Sequence, residues 1–152
     1  MIDFCELASE TLRTILKRDV DIIFDSKNND FNYNRHRDVI TLPIKFKIRE
    51  INRHHIYWIK RYGLDLFQYT DTNELLIAYY IFCICHEVGH QIHSRIDRDE
   101  EYVNYIMYAE SIAEDWDMYR SILTEQLADE YACSVFNAKK EEIDNLIRKY
   151  NF

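Results

Sequence analysis

Apolar residues first recur with a helical period. Phe4, Leu7, Ala8, Leu12, Ile15 and Leu16 are spaced by three and four, which puts them on one face of a helix over residues 3–18. The period then shortens to two. Residues 20–24 form a β-branched and aromatic run, and residues 26–30 (SKNND) have the composition of a turn. Residues 31–34 (FNYN) and 38–42 (DVITL) read as two strands joined by a polar turn. Pro43 cannot donate to a ladder, so the second strand should end there or lie at an edge. Ile44, Phe46 and Ile48 alternate with Lys45, Lys47 and Arg49, a strand pattern, although the spacing of Ile48 and Ile51 also allows helix.

Helical periodicity dominates the remainder. Residues 53–61 read as a helix that Gly63 ends. Asp71 is an N-cap with Glu74 at the capping-box position three later. The helix it starts should run through LLIAYYIFCIC, residues 75–85, to about Ser94. That run is apolar all round, so the helix should be buried. It is well short of the roughly 20 residues needed to cross a bilayer, and no membrane association is expected. Residues 97–101 (DRDEE) read as a polar connection and 102–137 as a long helical region interrupted once. Residues 139–150 read as a last amphipathic helix with Ile143, Leu146, Ile147 and Tyr150 on its apolar face. No repeat or linker divides the chain. The expected architecture is α+β: a small N-terminal antiparallel or mixed sheet, then a mainly helical core, in one domain over residues 1–152.

Composition supports this picture. Only 2 glycines and 1 proline occur among 152 residues, too few for many tight turns, which favours long helices. The net charge of -8 gives no electrostatic reason to bind nucleic acid directly. The charge is uneven, however. Lys45, Lys47, Arg49, Arg53, Lys60 and Arg61 face only Glu50 within their segment, whereas residues 97–130 carry eleven acidic side chains against Arg98 and Arg120. These are two solvated faces of opposite sign, or a basic lip that steers an acidic partner. Cys5, Cys83, Cys85 and Cys133 show no Cys-x-x-Cys spacing, and MIDFCELASE lacks the pattern of a secretory signal. Reduced, mostly buried thiols in a cytoplasmic protein are expected.

The candidate chemistry lies in CICHEVGHQIH, residues 83–93. His86 and His90 are four apart and share a helix face, so both imidazoles can reach one metal ion. Glu87 lies about 100° round the helix, free to act as a general base on a water whose pKa a zinc ion lowers to around 7. His-Glu-x-x-His is the zinc metallopeptidase signature. The bland alternative is a core helix whose histidines bond to backbone or tyrosine groups. A catalytic zinc needs a third protein ligand. His93 is about 10 Å along the axis from His86, too far for that role, and fits a rim or supporting position. Ile96 stands where the longer HExxHxxGxxH pattern requires histidine, which excludes that class. The better source is EQLADEYA, residues 125–132. Glu125 and Asp129 share a face; Glu125 can ligate, and Asp129 can take the other N–H of a ligand histidine and fix its tautomer. Gly89, Ala128 and Ala132 would let the two helices approach closely.

HEVGH followed by a Glu-x-x-x-Asp helix resembles the gluzincins, the thermolysin-like zinc peptidases. HExGH with Glu125, Ala128, Asp129, Tyr131 and Ala132 downstream resembles, more narrowly, the ImmA/IrrE family. The resemblance covers residues 86–90 and 125–132, and is only general over the preceding strands and apolar helix. It implies a zincin-like core with the HExxH helix packed on the Glu-bearing helix. It further implies one zinc held by His86, His90 and Glu125, with Glu87 as general base. Family members are associated with cleaving or inactivating transcriptional repressors, so the implied partner is a protein or peptide substrate, a repressor among the candidates. The chain departs from the family in QIHS, residues 91–94, which displaces a histidine often found after the second ligand.

The expected reaction is hydrolysis of a peptide bond, with the substrate extended along a sheet edge for which residues 38–42 are the candidate. Tyr102, Tyr105, Tyr108 and His93 are the candidate oxyanion donors. Two other readings compete: a zinc-binding regulatory module that holds a partner without cleaving it, and a metal-free helical interaction domain.

Overall fold

The computed structural model describes residues 1–96 and 123–151. The first helix, α1, spans Phe4–Glu10, with the Asp3 carboxylate accepting the Glu6 N–H. It continues as a π-helical turn over Thr11–Leu16, closed by Lys17 in the left-handed region at φ 51°. Within this segment Phe4, Leu7, Ala8, Leu12 and Ile15 are buried, as their spacing predicts.

Three short strands follow: β1 (Ile22–Asp25), β2 (Asn32–Asn34) and β3 (Val39–Pro43). The sheet is mixed, in the order β1-β3-β2. β1 runs parallel to β3 with Ile22 opposite Ile40, and β2 runs antiparallel with Tyr33 opposite Ile40. Asp38 enters β3 with φ 53°, a conformation Asp tolerates better than most residues. Ile40 and Leu42 alternate inward and are buried. β3 ends at Pro43, as expected, but as the central strand. Residues 38–42 are therefore no free edge: the edges among the described residues are β1 and β2, which corrects the expected substrate track.

The alternation over residues 44–49 does not make a strand. The chain leaves the sheet after Pro43 and forms a 3-10 turn at Ile48–Glu50. The Glu50 carboxylate accepts the Lys47 N–H, a local bond, and an Asn29 amide N–H from 21 residues upstream, in place of a ladder. Phe46 is the buried residue of the alternation, set against Phe31, Tyr79 and Tyr80 between two exposed lysines, while Ile48 is partly buried against the core.

Helix α2 spans Arg53–Ile59 and passes through a 3-10 turn to Gly63, whose φ of 84° suits a residue without Cβ. Its N-cap is Asn52, whose side-chain oxygen accepts the His55 N–H. Helix α3 spans Thr72–Ile96, about 37 Å at 1.5 Å per residue, and is the central beam. The Asp71 carboxylate caps it through the Glu74 N–H. By length and composition α3 could cross a membrane, but 89% of that stretch is buried inside the fold. Ile77, Ala78, Tyr80, Ile81, Phe82, Ile84, Cys85 and Val88 are fully enclosed. The Tyr80 hydroxyl donates to the Pro43 carbonyl at 2.7 Å and ties α3 to the end of β3.

Helix α4 spans Leu123–Ala138 and packs along α3; helix α5 spans Lys140–Tyr150. Ile143, Leu146, Ile147 and Tyr150 face the core from α5, the four residues its periodicity marks. All four cysteines are free thiols; three are buried, and burial pushes the Cys133 thiol up to about 12. The expected polar connection at 97–101, the helical region up to 122 and the tyrosines at 102, 105 and 108 lie outside the described residues.

Candidate metal centre

The site forms where α3 and α4 come nearest. A Cβ built on Gly89 would lie 3.0 Å from the Ala128 Cα, 3.2 Å from the Tyr131 ring and 3.3 Å from the Ala128 carbonyl oxygen. Gly89 and the fully buried Ala128 and Ala132 thus set the interhelical spacing, as their sizes predict. His86 and His90, one turn apart on α3, then face Glu125 on the first turn of α4.

Three residues converge. His90 Nε2 lies 3.1 Å from His86 Nε2 and 2.8 Å from Glu125 Oε2, and His86 Nε2 lies 3.2 Å from Glu125 Oε1. Ligands about 2.05 Å from an ion of zinc's size in tetrahedral geometry are about 3.3 Å apart. The observed separations approach that value, each slightly contracted. His86 and Glu125 are buried, and His90 is half-buried.

The donor chemistry fits a cation. Asp129 Oδ1 lies 2.8 Å from His86 Nδ1. At that distance the carboxylate and the ring attract electrostatically. The pairing favours the Nδ1–H tautomer, which turns the His86 Nε2 lone pair toward His90 and Glu125. Two lone-pair donors and a carboxylate at such distances repel unless a proton or a metal ion lies between them. Without metal, protons fill that need. Burial opposes charge on His86, but Asp129 and Glu125 outweigh it and push its pKa up to about 10. Burial likewise opposes ionisation of Glu125 and Asp129, yet His90 and His86 hold Glu125, and His86 and His55 hold Asp129, well below the usual carboxylate range. The cluster can coordinate a divalent metal in a zincin-like, gluzincin-type arrangement.

The other predicted site residues are placed as follows. Glu87 is buried beside His86 on α3. Asp129 is fully buried and reaches the back of His86. His93 is half-buried and donates from Nδ1 to the Gly89 carbonyl at 2.6 Å, so it is tied to its own helix outside the three-residue cluster.

Sequence reasoning missed His55. Its Nε2 lies 2.8 Å from Asp129 Oδ1, the oxygen that also faces His86, and its ring packs edge-on to Phe82 and His86. A signal existed: His55 shares the inward face of α2 with Ile56 and Ile59. A second overlooked group lies beside the last turns of α3. Asp38 accepts from the Tyr33 hydroxyl and from Gln91, and Arg35 donates to Ser94, which fastens the β2–β3 hairpin to α3.

No protein-family model matches the chain, and no curated protein and no solved structure matches it either.

Proposed function

We propose that this protein is a zinc-dependent endopeptidase of the ImmA/IrrE type, acting in the cytoplasm on a protein substrate, with a transcriptional repressor as the first candidate. The observation that carries this reading is the convergence of His86, His90 and Glu125 at 2.8–3.2 Å, with Glu87 next to the first ligand. His86, His90 and Glu125 would hold the zinc and leave a position open, the ligand set of a catalytic rather than a structural site. Bound there, zinc would polarise the scissile carbonyl and acidify a water. Glu87 takes the proton of the attacking water and returns it to the leaving nitrogen. Asp129 holds the His86 ring. β2 replaces residues 38–42 as the edge for an extended peptide, because its hairpin is bonded to α3 through Gln91 and Ser94.

The test begins with elemental mass spectrometry of the purified protein. About one zinc per chain is expected, lost in Glu125→Ala. No zinc in the parent after incubation with the metal would remove the reading. Glu87→Gln should keep the metal and the fold while losing hydrolysis of the repressor by about 100-fold or more, the size of a general-base contribution. Zinc binding with no cleavage by the parent would favour the regulatory module that holds its partner intact.

A further inference from the structure

We propose that His55 is a positioning residue of the metal centre: by donating Nε2–H to Asp129, it holds the carboxylate that orients His86 and so sets the affinity of the site for zinc. The proposal rests on the reading of His86 as a ligand.

Asp129 Oδ1 lies 2.8 Å from both His55 Nε2 and His86 Nδ1. One oxygen is thus shared between two rings that meet edge-on at 85°, with centroids 5.6 Å apart. The carboxylate that faces His86 at this distance has a second anchor to keep it in place. His55 supplies it from a different element. The start of α2 is itself fixed, because Asn52 accepts the His55 N–H at 3.1 Å. The ring is further confined by Phe82 at 5.4 Å and Tyr79 at 6.5 Å, both edge-on. The relay therefore runs from Asn52 through His55 and Asp129 to His86, and joins α2, α4 and α3 at buried positions. A ligand histidine that loses such outer support typically loses about 10–100-fold in metal affinity.

The experiment is a zinc-affinity measurement by chelator competition on the full chain, with thermal unfolding of the metal-free protein alongside. His55→Phe keeps a ring against Phe82 but has no donor. It should bind zinc about 10-fold or more weakly. His55→Gln, which carries an amide N–H near the reach of Nε2, should restore affinity to within about threefold of the parent. A merely structural His55 would lower the unfolding temperature of the metal-free variants and leave the zinc affinity of the folded protein unchanged. Should His55→Phe not fold, His55→Asn, whose amide is too short, should show the same loss. Equal affinity of the parent, the folded donor-free variant and His55→Gln would overturn the role of His55. A parent that binds no zinc would instead remove the proposed function beneath it.

Discussion

Asp129 concentrates the energetics of this protein at the scale of one residue. It has no exposed surface, and two imidazoles converge on a single oxygen. Removing that acceptor leaves two buried ring N–H groups without it. Asp129→Ala should therefore destabilise the metal-free protein by about 1–3 kcal/mol, read from its urea midpoint; an unchanged midpoint would show that the rings find other acceptors. Metal-ligating potential is visible in HEVGH because i, i+4 spacing is a local property of a helix. The support behind His86 was only half legible. Asp129 could be read from its place one turn after Glu125. The place of His55 beside Ile56 and Ile59 signals burial, but nothing local pairs it with Asp129, 74 positions away.

At the scale of elements, the α3–α4 contact decides whether a site exists. Gly89 carries no positive φ in α3; its use is close approach. Helix propensity alone would make Gly89→Ala favourable by about 1 kcal/mol. The new Cβ, however, meets Ala128 backbone at 3.0 Å and 3.3 Å, which cannot swing aside as a side chain would. Helix α4 must move by a few tenths of an ångström, carrying Glu125 and Asp129 with it. We expect a net loss of about 1–2 kcal/mol in thermal or urea unfolding, together with weaker zinc binding. A variant as stable as the parent with undiminished zinc affinity would mean that the helices have slack.

At the scale of the whole molecule, α5 closes against α1 through a mixed polar contact. The Glu10 carboxylate accepts from Lys149 and from the Tyr150 hydroxyl. The Lys149 bond lowers the Glu10 pKa, burial opposes it, and the Tyr150 bond adds to the lowering. A carboxylate lowered in the folded state stabilises at pH values above its unfolded pKa of about 4.3. That increment disappears as the pH falls through the folded value. Glu10→Gln should thus cost about 0.5–1 kcal/mol near neutrality, the size expected of a partly solvated pair. The difference from the parent should shrink as the solution is acidified below about 4.3. A difference independent of pH would place the effect in packing rather than charge. The basic segment belongs to this scale too. If Lys45 and Lys47, both exposed, steer an acidic substrate, reversing each to Glu should slow association at low salt and have little effect at high salt.

The chain's own pattern determined its helices, their buried faces, the presence of a small N-terminal sheet and the His86–His90 pair, because 3.6- and 2-residue periods and cap chemistry are set by neighbours in sequence. Tertiary structure decided the rest. It made β3 the central strand and turned residues 44–50 out of the sheet, since ladder bonds depend on which segment lies alongside. It brought Glu125 to two histidines on another helix, within the spacing that Gly89 permits. It also placed His55 behind Asp129. Contacts between distant segments depend on how whole helices pack, and no local period encodes that.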